Sequence, residues 1–286
     1  MSNSVILIVA NDDYLPHAKS LMAGCIRQGS WKGDFCLLCP DACNTSSIEG
    51  RGIDVFRAPE LKWTNKIKFR IFSSYFRKWK RLLYLDCDIL IQGNLNDLCT
   101  DLLTKFPSIL CDGSHNGTIL NDWIHFDPNS SKENNAHPEI YKKLRERFPH
   151  IDERILTSDV MYFSPSSISD TVVDNLFAIQ EEFVTINPGN YDQQVMNLLL
   201  YGQMLPITKD YCTWWAFDDP GNRIPHDVNG WTGNEKPVIS HYWGMYAPWI
   251  VKTPDAGAYF NHRLGRVCHE LYAENLAAFD NVFPLF

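Results

Sequence analysis

The residues best placed to do chemistry are two aspartates that close an apolar run: Leu82-Leu83-Tyr84-Leu85-Asp86-Cys87-Asp88-Ile89-Leu90. The run reads as a strand, and the i, i+2 spacing can aim both carboxylates at one point just past its end. Carboxylates that converge at low solvent exposure repel each other and call for a cation. Hard divalent cations prefer oxygen ligands and commonly share them with substrate phosphates. The plainer alternative is a solvated acidic loop, since Asp-x-Asp is a common string. The apolar continuation into Ile91 favours a buried strand end instead.

A second candidate is His241-Tyr242-Trp243-Gly244-Met245-Tyr246-Ala247-Pro248-Trp249. A neutral imidazole can bind a metal through one nitrogen. Gly244 permits close approach of backbone to a ligand. The alternative is a histidine satisfied within an aromatic core. A third candidate, the CxxCxxxC cluster of Cys36, Cys39 and Cys43, lacks the second Cys pair that would complete a zinc site. Reduced core cysteines are the expected reading, and the odd total of nine does not suit a full disulfide framework.

The elements that must position these residues alternate. Val5–Ala10, Phe35–Cys39, Asp54–Ala58 and Arg81–Asp86 read as strands, with helices expected over Leu15–Gln28 and Lys66–Trp79. Such alternation indicates a mainly parallel sheet with helices on both faces. Ligands bind at the carboxyl ends of such strands. That places Asn11–Tyr14, after the first strand, on one rim with Asp86–Asp88. Residues Asp112 to His150 are polar and irregular, as in an insertion or acceptor-side loop, with a short helix near Glu139–Arg147. Strand Ile155–Phe163 and helices Ile168–Phe183 and Asp192–Tyr201 are expected next. The tail Phe260–Phe279 carries Leu264, Val267, Cys268 and Leu271 at helical spacing and should dock on the protein's own core. No repeat or linker interrupts the 286 residues, so a single domain is expected over 1–286. Its parts are a half that carries the strand-end rim (1–100), a second half that opens on the irregular segment (101–250) and a helical tail (251–286).

The formal charge of −8 opposes nucleic-acid binding, which needs a basic surface. No apolar stretch reaches the roughly 18 residues of a membrane span. The strand-like Val5–Ala10 has no basic lead-in of the secretory kind. The expectation is a cytoplasmic protein, with the sequons at Asn44, Asn116 and Asn129 as chance matches.

Together the two motifs resemble those of the glycogenin-like and lipopolysaccharide-galactosyltransferase-like retaining glycosyltransferases. The family's Tyr-Leu-Asp-x-Asp context stands at Tyr84–Asp88, and its His-x-x-Gly-x-x-Lys-Pro-Trp segment begins at His241. The resemblance implies a Rossmann-like type A fold in one α/β domain, with a mixed, mainly parallel sheet and a C-terminal helix. It also implies a UDP-sugar donor and a metal held by Asp86, Asp88 and His241. With an imidazole among oxygen ligands, Mn²⁺ is favoured, with Mg²⁺ as the alternative. Donor contacts implied are Ala10, Asn11, Tyr14, Arg70, Asp86 and Gly244. Arg70 stands sixteen residues before Asp86. Asp192-Gln193-Gln194 with Asn197 resembles the segment beside the reacting carbon, which makes Gln193 and Asp192 the catalytic candidates.

Two departures bear on function. Ala247 stands where the family usually has a Lys that contacts the diphosphate. Its loss removes a charge that would stabilise the leaving group; the metal, Lys252 or Lys68 could compensate. In Thr157-Ser158-Asp159-Val160, Asp159 stands where the family usually has Gly. It could bind an acceptor hydroxyl, tune the donor sugar, or simply be a capping residue. Trp214 and Trp215 lie beside the loop-like Asp218–Gly221, and one of them is a candidate acceptor platform by ring stacking.

The expectation is a hexosyltransferase, glucose or galactose first among donors, acting on a glycan, glycoprotein or other hydroxyl acceptor. A nucleotide-sugar-binding pseudoenzyme is suggested by Ala247. A sugar-nucleotide pyrophosphorylase would want a Gly-rich basic loop after the first strand, which Asn11–Pro16 does not supply. The sequence leaves oligomeric state open.

Overall fold

The computed structural model describes residues 3–60, 65–96, 99, 109–112, 119, 138–183, 192–207, 212–216, 226–227, 238–242, 249 and 263–285. The strands are β1 Ser4–Val9, β2 Asp34–Pro40, β3 Asp54–Ala58, β4 Arg81–Leu85, β5 Ile89–Ile91, β6 Ile109–Asp112, β7 Val160–Phe163, β8 Met204–Ile207, β9 Cys212–Ala216, β10 His226–Asp227 and β11 Ile239–Tyr242. The helices are α1 Leu15–Arg27, α2 Pro138–Arg147, α3 Val172–Phe183, α4 Asp192–Leu200 and α5 Arg263–Val282.

β1 is apolar throughout because both of its faces are covered. Val5, Leu7 and Val9 enter one core, and Ile6 and Ile8 enter the other. A strand buried on two sides gives a continuous apolar run instead of an alternating one. One face is covered by Ile67 and Phe69, by Val172 and Leu176 of α3, and by Val195 and Met196 of α4. The other is covered by Leu15, Ala18 and Met22 of α1, with Phe279 of α5.

The seven-stranded sheet runs β3-β2-β1-β4-β7-β6-β8. β1 is parallel to β2 and β4, whereas β7 is antiparallel to β4 and β6. This is the α/β, Rossmann-like, mixed but mainly parallel sheet that the sequence leads one to expect. The chain leaves β1 toward β2 and β3 and returns to β4 on the other side. A crevice therefore opens beyond the carboxyl ends of β1 and β4, where ligands bind in open α/β sheets. A second sheet runs β10-β9-β11-β5.

Three expected elements differ in form. The single helix over Lys66–Trp79 is two 3₁₀ segments, Asn65–Phe72 and Ser74–Lys78. Ser73 divides them, and its hydroxyl accepts from Tyr75 N at 3.3 Å to cap the second. The strand over Ile155–Phe163 begins only at Val160. The preceding backbone is drawn to α4 instead: Leu156 N donates to Asn197 Oδ1 at 2.9 Å, and Leu156 O accepts from Asn197 Nδ2 at 2.7 Å. The helix over Ile168–Phe183 starts at Val172, because Ile168 is extended after the short turn Pro165–Ser167.

α5 docks on α1, as the tail's spacing implies. The helices approach closely at Gly24, where an added Cβ would lie 2.8 Å from Asn275 Nδ2. Arg27 Nη1 donates to Asn275 Oδ1 at 2.7 Å, and Ser20 Oγ donates to Tyr272 O at 2.9 Å. Among the described residues no helix is long and apolar enough to cross a membrane. Cys36 and Cys39 belong to opposite cores. They stand three residues apart on a strand whose side chains alternate, so they point away from one another.

Candidate active site

Three backbone pairings assemble the site. The first ends β4: Leu85 pairs with Val160, and Asp86 N then donates to Asp159 O at 2.9 Å. This sets Asp159 across from Asp86. The second is β5 against β11, which puts His241 opposite Ile89. A residue more than 150 positions later in the chain thereby reaches the carboxylate of Asp88, with Nε2 3.2 Å from Oδ1. The third is the clamp between Asn197 and Leu156, which holds the start of α4 near the rim. There Ser158 Oγ donates to Asp192 Oδ2 at 3.2 Å, and Ser158 N donates to Gln193 Oε1 at 3.2 Å.

Between Asp86 and Asp88, Cys87 turns inward, its thiol 3.4 Å from Val9 O at the end of β1. The flanking aspartates line a cleft of about 220 Å³ together with Val9, Tyr14, Lys68, Tyr84, Cys87 and Asp192. Tyr14 stands at its mouth, an exposed aromatic held by Asn11, whose Oδ1 accepts from Tyr14 N at 3.0 Å. Behind Tyr14, the ring of His17 stacks on Trp249 at 3.7 Å and meets the Tyr272 hydroxyl at 2.7 Å. Burial lowers the His17 pKa to about 4, against the pull of Asp88.

The residue that organises the carboxylates is Lys68. Its Nζ lies 2.9 Å from Asp86 Oδ2, 3.2 Å from Asp192 Oδ2 and 3.9 Å from Asp159 Oδ1. The ammonium also sits over the Tyr84 ring, whose hydroxyl donates to Asp86 Oδ1. Burial pushes the Lys68 pKa down, but Asp192, Asp86 and Asp159 outweigh it and the net shift is upward. Asp86 is raised by burial and by Asp159, with Lys68 opposing. Burial alone would lower His241; the carboxylates of Asp159 and Asp88 reverse this and raise it to about 10.

The sequence-derived candidates divide accordingly. Asp86, Asp88, His241, Asp159, Asp192 and Gln193 come together, with Tyr14 and Asn11 at the cleft mouth and Ala10 buried at the end of β1. Arg70 is placed elsewhere: its guanidinium binds Glu60 at 2.7 Å and covers the Phe177 ring. The basic side chain on the carboxylates is Lys68, two residues earlier. Two positions along any helix face different sides, so only one of this pair can turn to the cleft. Trp214 and Trp215 are described by backbone alone, with β9 pairing them to His241 and Tyr242 of β11. Gly244, Ala247, Lys252 and Asp218–Gly221 lie outside the described residues. Ser158 and the Tyr84 hydroxyl are contributors that sequence reading passed over. Both stand next to motif residues, which is the signal that could have found them.

The residue types suit a divalent cation. Three carboxylates, Asp86, Asp159 and Asp192, face the Lys68 ammonium, and a fourth, Asp88, faces His241. Asp88 Oδ1 is buried, faces His241 Nε2 at 3.2 Å, and among the described residues meets no donor in full hydrogen-bond geometry. A carboxylate pair with an imidazole is a donor set that Mn²⁺ accepts. Asp86 is turned to Lys68 and Tyr84, and among the described residues no three side chains already form a closed cage.

Solved structures share this fold. The galactosyltransferase LgtC, determined with donor and acceptor sugar analogues, is 14% identical, with a TM-score of 0.58 over 94% of this chain and 95% of its own. The glycosyltransferase GlyE of Streptococcus pneumoniae TIGR4, in its apo form, is 15% identical, with a TM-score of 0.59 over 99% of this chain and 64% of its own. The bifunctional glycosyltransferase WbbM is 14% identical, with a TM-score of 0.55 over 94% of this chain and 52% of its own. At these identities the likeness is one of fold. No curated protein sequence matches the chain. The sequence model of glycosyl transferase family 8, however, matches residues 59–253, a span that holds Lys68, Asp86, Asp88, Asp159, Asp192 and His241. The chain belongs to glycosyl transferase family 8, and is a glycosyltransferase.

Proposed function

We propose that the protein transfers a hexose, galactose or glucose, from a UDP-sugar to a hydroxyl of a glycan or glycoprotein, with retention at the anomeric carbon. The observation that carries this reading is the meeting of His241 with Asp88 at the crevice beyond β1 and β4. Asp86, Asp88 and His241 would hold a divalent cation, Mn²⁺ first. When bound, it would act as a Lewis acid on the diphosphate and offset charge on the departing nucleotide.

The protein's own side chains do the rest. Tyr14 offers an aromatic face at the cleft mouth for the uracil ring. Lys68 supplies a fixed positive charge on the wall shared with Asp192. A preoriented charge of this kind favours the state in which the leaving group is most negative. It could also make good the charge that Ala247 does not provide. Asp192, held by Lys68 and Ser158, would grip donor hydroxyls. The Gln193 carboxamide oxygen accepts from Ser158 N, which fixes it beside the sugar. An amide is a poor nucleophile, which favours attack by the acceptor hydroxyl on the face the nucleotide leaves.

A thermal-shift screen tests the donor assignment. UDP, UDP-glucose and UDP-galactose should each raise the melting temperature with Mn²⁺ present. At ligand near 100 times Kd the gain is about 2.7 kcal/mol. No shift with any uridine nucleotide, with or without Mn²⁺, would overturn the reading.

A further inference from the structure

We infer that Asp159 is a positioning residue for His241, a carboxylate that fixes the imidazole so that its Nε2 faces Asp88. The inference rests on the metal-dependent reading above and assigns within it a role to a side chain that the sequence reading placed at the acceptor or donor sugar.

His241 lies between two carboxylates on opposite edges of its ring. Nδ1 is 3.3 Å from Asp159 Oδ2, and Nε2 is 3.2 Å from Asp88 Oδ1. The imidazole is almost fully buried, with 5% of its residue surface exposed. Its backbone is held on both sides, by β5 and by β9. The ring's remaining freedom is rotation about its side-chain bonds, and a carboxylate at Nδ1 limits that rotation. A ligating histidine generally gives its other ring N–H to a carboxylate or carbonyl, which sets the tautomer and raises the basicity of the ligating nitrogen. Asp159 stands beside that nitrogen at ion-pair distance, 3.3 Å, outside full hydrogen-bond geometry.

The surroundings of Asp159 turn its carboxylate toward charged neighbours. Its side chain is 16% exposed. Oδ2 faces His241, and Oδ1 faces Lys68 at 3.9 Å. Neither oxygen is turned outward to an acceptor hydroxyl. Nor does it cap a helix, because β7 follows it directly. Its position is fixed by the ladder, since its carbonyl accepts from Asp86 N. The contact with His241 joins the seven-stranded sheet to the four-stranded sheet across the cleft.

The test is a double-mutant cycle read as Mn²⁺ affinity with UDP present, by calorimetry or by the electron-spin signal of free Mn²⁺. Wild type is measured first: if it binds no Mn²⁺, the metal reading itself fails and Asp159 is not the cause. If it binds, Asp159→Asn should weaken Mn²⁺ by about 10- to 100-fold. In a His241→Ala background the same change should cost less than about 3-fold, since no imidazole remains to be oriented. Asp159→Ser, read in the same cycle, covers the case in which the amide variant folds poorly. Equal losses in both backgrounds, or unchanged affinity in Asp159→Asn, would overturn the inference.

Discussion

Asp88→Asn should abolish Mn²⁺-dependent UDP binding and lower the transfer rate by at least about 10²-fold, while the protein stays folded. Asp88 lies three residues past the end of β4 and directly before β5, so its place is set by strands on both sides. Neither strand depends on its charge. The asparagine keeps the shape and hydrogen-bonding capacity near His241 but withdraws a negative oxygen. The contact affected is the approach of His241 Nε2 to Asp88 Oδ1 at 3.2 Å, which a carboxamide oxygen can still meet. Calorimetry of UDP with and without Mn²⁺, beside a melting curve, separates the two effects. Unchanged Mn²⁺-dependent affinity would sink the metal assignment.

Lys68→Met should be the most destabilising single change in the site. It removes one partner from a cluster in which Asp86, Asp192 and Asp159 face the same ammonium. Replacing a whole buried ion pair by apolar groups can be neutral, but removing one member leaves uncompensated charge and costs about 3–5 kcal/mol. Asp86 is partly solvated, with 25% of its side chain exposed, which places the expected loss near the lower end, about 3 kcal/mol. In a chain of this size that is a fall of roughly 6 °C in melting temperature. Millimolar Mn²⁺ should restore part of it, because Asp86, shared by the two sites, then gains another cation. The transfer rate should stay low, by about 10²-fold, since a cation bound at Asp86 and Asp88 does not supply the fixed charge beside Asp192. A variant as stable and active as wild type would show that Lys68 is a bystander.

The legibility of this site in the sequence follows the geometry that each residue depends on. Asp86 and Asp88 are readable because they end an apolar strand, and a strand's period and terminus are local properties. The opposed faces of Cys36 and Cys39 are readable for the same reason. His241 is not readable from spacing, since its approach to Asp88 is made by the β5–β11 ladder, and pairing between distant strands leaves no local mark. Residue type alone marks His241 as a possible ligand, and only the resemblance joins it to Asp86 and Asp88.

Lys68 and Arg70 show a different limit. The resemblance selects Arg70 as a donor contact, whereas the side chain that turns to the carboxylates is Lys68 of the same 3₁₀ segment. Asp159 is visible as an extra carboxylate, but its place between His241 and Lys68 is not. The strand expected over Ile155–Phe163 begins just after it, and the α4 side chains of Asn197 and Gln193 take up the backbone before it. The mainly parallel sheet was implied by alternation of strands and helices. The reversal at β7 was not, because antiparallel and parallel neighbours share one apolar pattern when both faces are buried.

The most direct measurement of the central claim is UDP formation from UDP-galactose and UDP-glucose by the purified protein, with Mn²⁺ and with EDTA. Mn²⁺-dependent UDP release from at least one donor, lost on chelation and in Asp88→Asn, is the expected result. Mn²⁺-dependent UDP binding without hydrolysis or transfer of either hexose would contradict it, and would leave a protein that holds nucleotide-sugars without turning them over.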